Sequence, residues 1–447
     1  MILKLEKLLE EAVSYFKENH GYDRMLKKMV QKYKSFEREL PGSIVIENPS
    51  LAEKDAISGF MKKDYSKNKN ITINLKKFQK RIDETRFAGL TIKQILETYF
   101  TNEIISNKEE KRRFNEEFEL FINEIKSYCK SENTVKIIEL IKQENAEMYA
   151  KIKKEYNKSS IRLKNELKIA IEAIENLSKE KISLPIFSAK ITGNPHSLDR
   201  NNLAGQFLLD FLIINKRINS NKEQVKEEQI KENKRIKSTE EIAEIYYNNN
   251  LMIDEMSNMV LARNLIGYKN NKENEGWRAF YNNNEAWQIT LYNLSKVDNV
   301  TSSIKKCLIV ENPAVFTNII QDEKYKKIPI VCTYGQVKLA GIILLKKLVE
   351  NNVHLYYSGD IDPEGMQIAD KLKTRFKDNI ELVGFDEETY LNNLSNTRLD
   401  NVRLKKLKKI EDEGLVKLVK LVLDKKLASY EELNIGNLKK IIGEWLM

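Results

Sequence analysis

Past residue 300 the chain alternates short, wholly apolar runs with stretches whose apolar positions recur at helical spacing. Cys307-Leu308-Ile309-Val310 reads as a buried strand ending at Glu311, and Ala314 to Ile320 as a short helix. Ile328-Pro329-Ile330-Val331-Cys332-Thr333 reads as a second strand, closed by Gly335 and followed by an amphipathic helix over Val337 to Val349. Val353-His354-Leu355-Tyr356-Tyr357 gives a third strand, Met366 to Phe376 a helix, and Ile380-Glu381-Leu382-Val383-Gly384-Phe385 a fourth strand. Strands and helices alternating at these lengths predict a parallel sheet with right-handed crossovers.

Upstream, the patterns are more mixed. Pro41-Gly42-Ser43 makes an early turn, and Ile44-Val45-Ile46 and Ile71-Thr72-Ile73-Asn74-Leu75 read as strands. Helical patterns cover Leu75 to Arg86 and Ile92 to Phe100, so a small α+β module of winged-helix type fits Ser43 to Phe100. No glycine or proline occurs from Leu90 to Leu184, where apolar residues at helical spacing predict helices, arranged as an arm or as a bundle. Thr192-Gly193-Asn194-Pro195-His196-Ser197-Leu198-Asp199 is a turn-rich loop leading to an apolar helix, Phe207 to Ile214. Lys222 to Lys237 is a mixed charge run, read as a solvated face or connection. Asn282-Asn283-Asn284, between Trp277 and Trp287, suggests a hairpin turn, and Gln288 to Leu294 alternates like a strand.

Composition narrows the chemistry. The chain has 447 residues, 41% of them hydrophobic and 32% charged, enough to bury several cores. No apolar run approaches the ~20 residues of a membrane span, and the start, Met1-Ile2-Leu3-Lys4-Leu5-Glu6, does not read as a signal peptide. A cytoplasmic protein with no membrane partner is expected. Three cysteines and three histidines argue against a disulfide framework and most His-built metal centres. A metal site would therefore rest on carboxylates, which favours a hard ion, Mg²⁺ or Mn²⁺. The net charge of +10 leans towards nucleic acid, although the 76 basic and 66 acidic residues mostly interleave.

Ligands on a parallel sheet bind beyond the carboxyl ends of its strands. Glu311, Asp360 and Asp362 fall there. Asp360 and Asp362 stand two apart in extended chain, so both side chains can face one way. Such a cluster repels itself unless a divalent cation neutralises it. An Asp-X-Asp pair can also merely cap a helix or face solvent. Gly359 and Gly365 permit close backbone approach, and Pro363 suits the first turn of a helix.

Glu311 and Gly359-Asp360-Ile361-Asp362-Pro363-Glu364-Gly365, set in alternating strand–helix units, resemble the Toprim domain of topoisomerases, primases and some nucleases. Val310-Glu311-Asn312-Pro313-Ala314-Val315-Phe316 and Tyr357 to Ala369 are similar to the topoisomerase VI A-subunit branch. Within that branch the chain resembles the JetD family, the Toprim nuclease subunits of Wadjet anti-plasmid defence systems. The match is strong over residues 300–390; upstream it is weaker and includes Thr192 to Asp199 and Leu261-Ala262-Arg263-Asn264-Leu265. The resemblance implies that Glu311 is a metal ligand or the general acid/base and that Asp360 and Asp362 hold Mg²⁺ or Mn²⁺. It also implies a winged-helix-like DNA-binding portion, a homodimer, double-stranded DNA as substrate, and an SMC-type ATPase with its kleisin and accessory subunit as partners. One departure is Val337, where related proteins often carry proline after the Gly-X pair of Thr333-Tyr334-Gly335-Gln336-Val337-Lys338.

Basic residues near the centre are candidate phosphate contacts. Lys338 opens a helix, and Arg398 to Lys426 carries ten basic residues against five acids, with Arg403, Lys405 and Lys406 as the DNA-binding candidates. Leu404, Leu407, Leu415, Leu418 and Val422 give the same segment an apolar face, so core helices with a solvated basic side fit equally. Turn and packing roles are expected for His196 and His354, and small-hydrophobe roles for Cys307 and Cys332.

The expected fold is multidomain, α+β and α/β. It comprises an N-terminal winged-helix-like module (1–100), a long helical arm or bundle (101–185), a middle globular region (186–300), a C-terminal Toprim domain with a Rossmann-like parallel sheet (301–390), and basic C-terminal helices (391–447). The expected function is metal-dependent endonuclease cleavage of double-stranded plasmid DNA. The alternatives are a Toprim transesterase acting through a covalent tyrosine, for which none of the 19 tyrosines has a recognisable context, and a non-catalytic scaffold with a vestigial Toprim domain.

Overall fold

A computed structural model describes residues 2–36, 42–144, 146–219 and 238–446. The charge run Lys222 to Lys237 lies outside them. Two units are distinct, Met1–Ser127 and Tyr128–Met447. Of the stretch expected as a helical arm or bundle, residues 101–127 belong to the first unit and 128–185 to the second.

In the first unit, strands β1 (Ser43–Glu47) and β2 (Asn70–Asn74) pair antiparallel, Ile44 opposite Ile73 and Ile46 opposite Ile71. Alternation buries these four isoleucines and turns Val45 and Thr72 outward. Helices Ile2–Lys17, Asp23–Ser35, Leu51–Met61, Leu75–Asp83 and Ile92–Phe100 surround the ribbon. Side chains set their starts: Ser50 with Glu53 and Thr91 with Gln94 form capping boxes, and Asn74 caps the helix that follows β2. Phe16, Phe60 and Phe78 sit at the centre of this core. Helix Asn107–Lys126 completes the unit.

The second unit begins with helices Glu132–Glu144, Ala146–Lys158, Ser160–Glu175 and Leu184–Thr192, then Leu203–Asn219. Leu163, Leu167, Ile171, Phe207 and Phe211 are buried among them. No helix of the described residues is long and apolar enough to cross a membrane.

A six-stranded sheet follows. Its strands are β3 (Met259–Arg263), β4 (Trp287–Thr290), β5 (Lys306–Val310), β6 (Ile330–Cys332), β7 (His354–Ser358) and β8 (Ile380–Leu382), in the spatial order β8-β7-β5-β6-β3-β4. The pairs β8/β7, β7/β5 and β5/β6 are parallel. Antiparallel β3 and β4 continue the sheet past β6, across the boundary expected at residue 300. Without them the β6 edge would present unpaired N–H and C=O groups.

Strand β5 is buried on both faces. Cys307 and Ile309 join one core with Leu344, Leu355 and Met366, whereas Leu308 and Val310 join another with Phe316, Leu438 and Ile442. Helices on both sides explain why this strand reads as continuous apolar sequence. The chain leaves β5 towards β6 through helix Pro313–Ile320, then crosses back through Leu339–Glu350 to β7 and through Pro363–Phe376 to β8. Strand order thus reverses between β5 and β7, the kind of point beyond whose carboxyl ends ligands bind on parallel sheets.

Two middle-region expectations change. Asn282-Asn283-Asn284 is no hairpin turn: it ends helix Glu275–Asn282, and left-handed Asn284 (φ 55°) redirects the chain into β4. The strand read over Gln288 to Leu294 stops at Thr290, which forms a capping box with Asn293 and starts helix Leu291–Ser295. A side-chain cap overrode an alternating pattern there.

The C-terminal residues fold onto the sheet rather than apart from it. Strands β9 (Leu394–Arg398) and β10 (Leu427–Ser429) pair antiparallel, and Ser429 bridges to Ile361 just beyond β7. Helix Glu413–Lys425 buries Leu415, Leu418 and Val422, and Leu404 and Leu407 are buried before it, as their apolar spacing predicts.

Candidate functional site

The register of β5 and β7 builds the site. Val310 pairs with Ser358, so the next residues, Glu311 and Gly359-Asp360, leave adjacent strand ends together. Glu311 Oε2 accepts from the Asp360 N–H and the Tyr357 hydroxyl, both at 3.4 Å. Glycine is required at 359, because a Cβ there would lie 2.7 Å from Glu311 Oε2 and from the Tyr357 hydroxyl. Gly365 meets a harder limit, since its Cβ would stand 2.2 Å from the Asp360 carbonyl oxygen.

Asp362 plays a different part. Its Oδ1 accepts the N–H groups of Glu364 (3.0 Å) and Gly365 (2.8 Å), capping helix Pro363–Phe376. Its Oδ2 receives the Arg403 guanidinium. Arg403 also donates to Glu364 Oε2, from Nε at 3.0 Å and Nη2 at 2.6 Å, and Lys406 donates to Glu364 Oε1 at 2.6 Å. Of the basic candidates, Arg403 and Lys406 therefore pair with acids of the site. Lys338 is exposed at the start of helix Leu339–Glu350, and Lys405 is exposed on the turn after Leu404. The loop before Lys338 does reach the centre, where the Gly335 N–H donates to the Glu311 carbonyl at 3.3 Å.

One acid was not foreseen. Glu431 is 1% exposed and comes from the turn after β10. Its Oε2 accepts the N–H groups of Glu311 (3.1 Å) and Asn312 (2.8 Å), and its own N–H donates to Asp360 Oδ1 at 2.8 Å. Its Oε1 is buried without a well-formed hydrogen bond, as is the hydroxyl of adjacent Ser358. Nothing in the local sequence Tyr430-Glu431-Glu432 signals this role; only the Ser429–Ile361 bridge delivers Glu431 to the strand ends.

Burial dominates the electrostatics. It pushes the Glu311 carboxyl up to about 7, with the Asp360 charge adding to the effect. It raises Asp360 to about 6 and drives Glu431 well above the carboxylate range. Glu364 goes the other way: burial opposes its ionisation, but Arg403 and Lys406 hold it down to about 2. The centre thus has an ion-paired half, Asp362 and Glu364 with Arg403 and Lys406, and a half without ion pairs among the described residues, Glu311, Asp360 and Glu431, where the Arg403 charge offsets the burial of Asp360 only in part.

Among the described residues, no three Asp, Glu, His or Cys side chains converge as a ready-made set of metal ligands. Mg²⁺ needs less, because one or two carboxylates suffice when waters and a substrate phosphate complete its shell. Glu311 and Asp360 fit that requirement: both are hard oxygen donors, and neither makes an ion pair with a described cationic side chain. Asp362, with both oxygens engaged, does not offer itself in the same way.

The remaining candidates stand apart. His196 bonds Asp199 at 3.0 Å within its own exposed loop, and His354 packs edge-on against Tyr356. Cys307 and Cys332 are buried free thiols.

No curated protein matches the chain. A family model described as "Protein of unknown function N-terminus (DUF3323)" matches residues 40–267, and one described as "Protein of unknown function C-terminus (DUF2399)" matches residues 287–442. Because the first model alone spans just over half of its length, the chain belongs to the DUF3323 family, and it carries the DUF2399 C-terminus as well.

Proposed function

We propose that this chain is a divalent-metal-dependent DNA endonuclease of the Toprim kind, the counterpart of the JetD subunit in Wadjet anti-plasmid systems. The observation that carries the reading is the pairing of Val310 with Ser358, which sets Glu311 and Asp360 side by side where the strand order reverses. Two half-buried acids side by side with no ion pair of their own among the described residues support a cation there, since it would relieve their mutual repulsion. A bound Mg²⁺ or Mn²⁺ supplies charge stabilisation at the scissile phosphate and acidifies water.

The chain's own residues do the rest. Glu311 and Asp360 would hold the ion through their carboxylate oxygens, which leave adjacent strand ends together. Glu431 orients both through their backbone and carboxylate bonds. Arg403 and the exposed Lys338 and Lys405 meet DNA phosphates. In the first unit, the β1/β2 ribbon with its helices serves as the winged-helix-like DNA-binding module. In this reading the enzyme acts as a homodimer, one centre per DNA strand, on DNA presented by an SMC-type complex.

The test is cleavage of supercoiled plasmid with Mg²⁺ or Mn²⁺ by wild type and by Asp360→Ala. Cutting by wild type alone is expected. Equal cutting by both proteins, or none by either with a competent motor complex present, sinks the reading.

A further inference from the structure

The two halves of the acidic centre are not equivalent. Asp362 is 8% exposed, with Oδ1 shared by two helix N–H groups and Oδ2 on the Arg403 guanidinium. Arg403 is held there by its surroundings. Asp400 caps the turn that carries it, accepting the N–H groups of Val402 and of Arg403 itself at 2.8 Å. Leu404 and Leu407 on either side of the turn are buried, and Gln367 donates to the Lys406 carbonyl at 3.1 Å. Glu364 fixes the guanidinium from a second direction. A permanent cation bridging two carboxylates through several charge-assisted bonds is hard to displace, and Mg²⁺ gives up its own waters reluctantly. Glu311 and Asp360, by contrast, make no ion pair with any described residue.

We propose that the centre takes a single divalent ion, at Glu311 and Asp360, and that the Arg403 guanidinium occupies the place at Asp362 where a second ion would otherwise bind. The inference rests on the metal-centre reading above and specifies its composition: one metal ion and one arginine. Arg403 Nη1 makes no hydrogen bond to a described residue, and the side chain is about one-third exposed. It is therefore free to meet a phosphate oxygen of bound DNA, the contact a second metal would otherwise supply.

Mn²⁺ stoichiometry, read by calorimetry and by electron paramagnetic resonance on the full chain without DNA, tests this. Wild type is expected to bind one ion per chain. Asp360→Asn should weaken that ion at least ~10-fold, whereas Asp362→Asn should leave it within a few-fold. Arg403→Ala should admit a second, weaker ion, and Arg403→Lys should not. Should Arg403→Ala fail to fold, Arg403→Gln, which keeps a donor for Asp362 but no charge, is expected to admit the second ion instead. Two ions on wild type overturn the proposal and leave the metal-centre reading standing. No ion on wild type overturns both. One ion on wild type and still one on folded Arg403→Ala also overturns it, because the arginine is then not what fills the second place.

Discussion

The backbone N–H of Glu431 donates to Asp360 Oδ1 at 2.8 Å, while the Glu431 carboxylate accepts the N–H of Glu311 at 3.1 Å. A residue near the end of the chain thus clasps the ends of two neighbouring parallel strands. Deleting its carboxylate leaves the N–H groups of Glu311 and Asn312 buried without their acceptor. At about 1–3 kcal/mol for each orphaned group, Glu431→Ala should lower the stability of the second unit by about 2–6 kcal/mol. Glu431→Gln keeps an acceptor oxygen and should cost less than about 1 kcal/mol. Urea unfolding followed by tryptophan fluorescence distinguishes them, and equal losses would refute the clasp.

Gly359 is the close-approach position. Gly359→Ala places a Cβ against Glu311 Oε2 and the Tyr357 hydroxyl, and something must move. Overpacking of this kind costs about 1–3 kcal/mol, and the displaced group is the carboxylate proposed to hold the metal. Mn²⁺ affinity is expected to fall about 10-fold, by the conversion of about 1.4 kcal/mol per decade, while the melting temperature moves by only a few degrees. Unchanged affinity would mean that Glu311 adapts without penalty.

The basic candidates divide in two. Lys338 and Lys405 are exposed, whereas Arg403 and Lys406 are engaged with carboxylates. Removing Lys338 and Lys405 together should weaken binding to any DNA sequence and flatten the slope of log affinity against log salt by about 2. Fluorescence anisotropy between 50 and 200 mM salt, the range over which such contacts are read, measures it. An unchanged slope would place these lysines away from phosphate.

Asp210 gives a pH signature remote from the centre. Burial raises its carboxyl from 3.8 to about 6, Glu147 adds to the rise and Lys151 opposes it. The folded state therefore holds this proton more tightly than the unfolded chain does. The associated stability is fully present below pH 3.8 and is lost as pH rises through about 6. Asp210→Asn should match wild type in acid and exceed it at pH 8 by on the order of 2 kcal/mol. Chemical denaturation at both pH values measures the difference; a variant less stable than wild type at pH 8 would contradict the assignment.

Much of the second unit's sheet is legible in its residues. The apolar runs at Cys307–Val310 and Val353–Tyr357, each followed by an acid, mark strands buried on both faces, and the structure has them as Lys306–Val310 and His354–Ser358. Helix boundaries also follow local chemistry, as at Pro363 and Asp362. Residues 287–294 show the limit of such reading: alternation suggested one strand, but the Thr290 side chain caps a helix halfway along. That the outer strands β3 and β4 join this sheet is not legible in the sequence, because pairing partners far apart in sequence leave no local trace.

The sequence by itself determined which residues are apolar enough to form the central strands and which acids stand at their ends, since burial and side-chain alternation act over a few residues. Only the tertiary structure decided the register that joins Glu311 to Asp360, the placement of Arg403 on Asp362, and the arrival of Glu431 from the C-terminal segment. Those contacts span 41 to 120 positions between Asp362 and Arg403 and between Glu311 and Glu431. Their energies arise from desolvation and hydrogen bonding between distant segments, which no local pattern encodes.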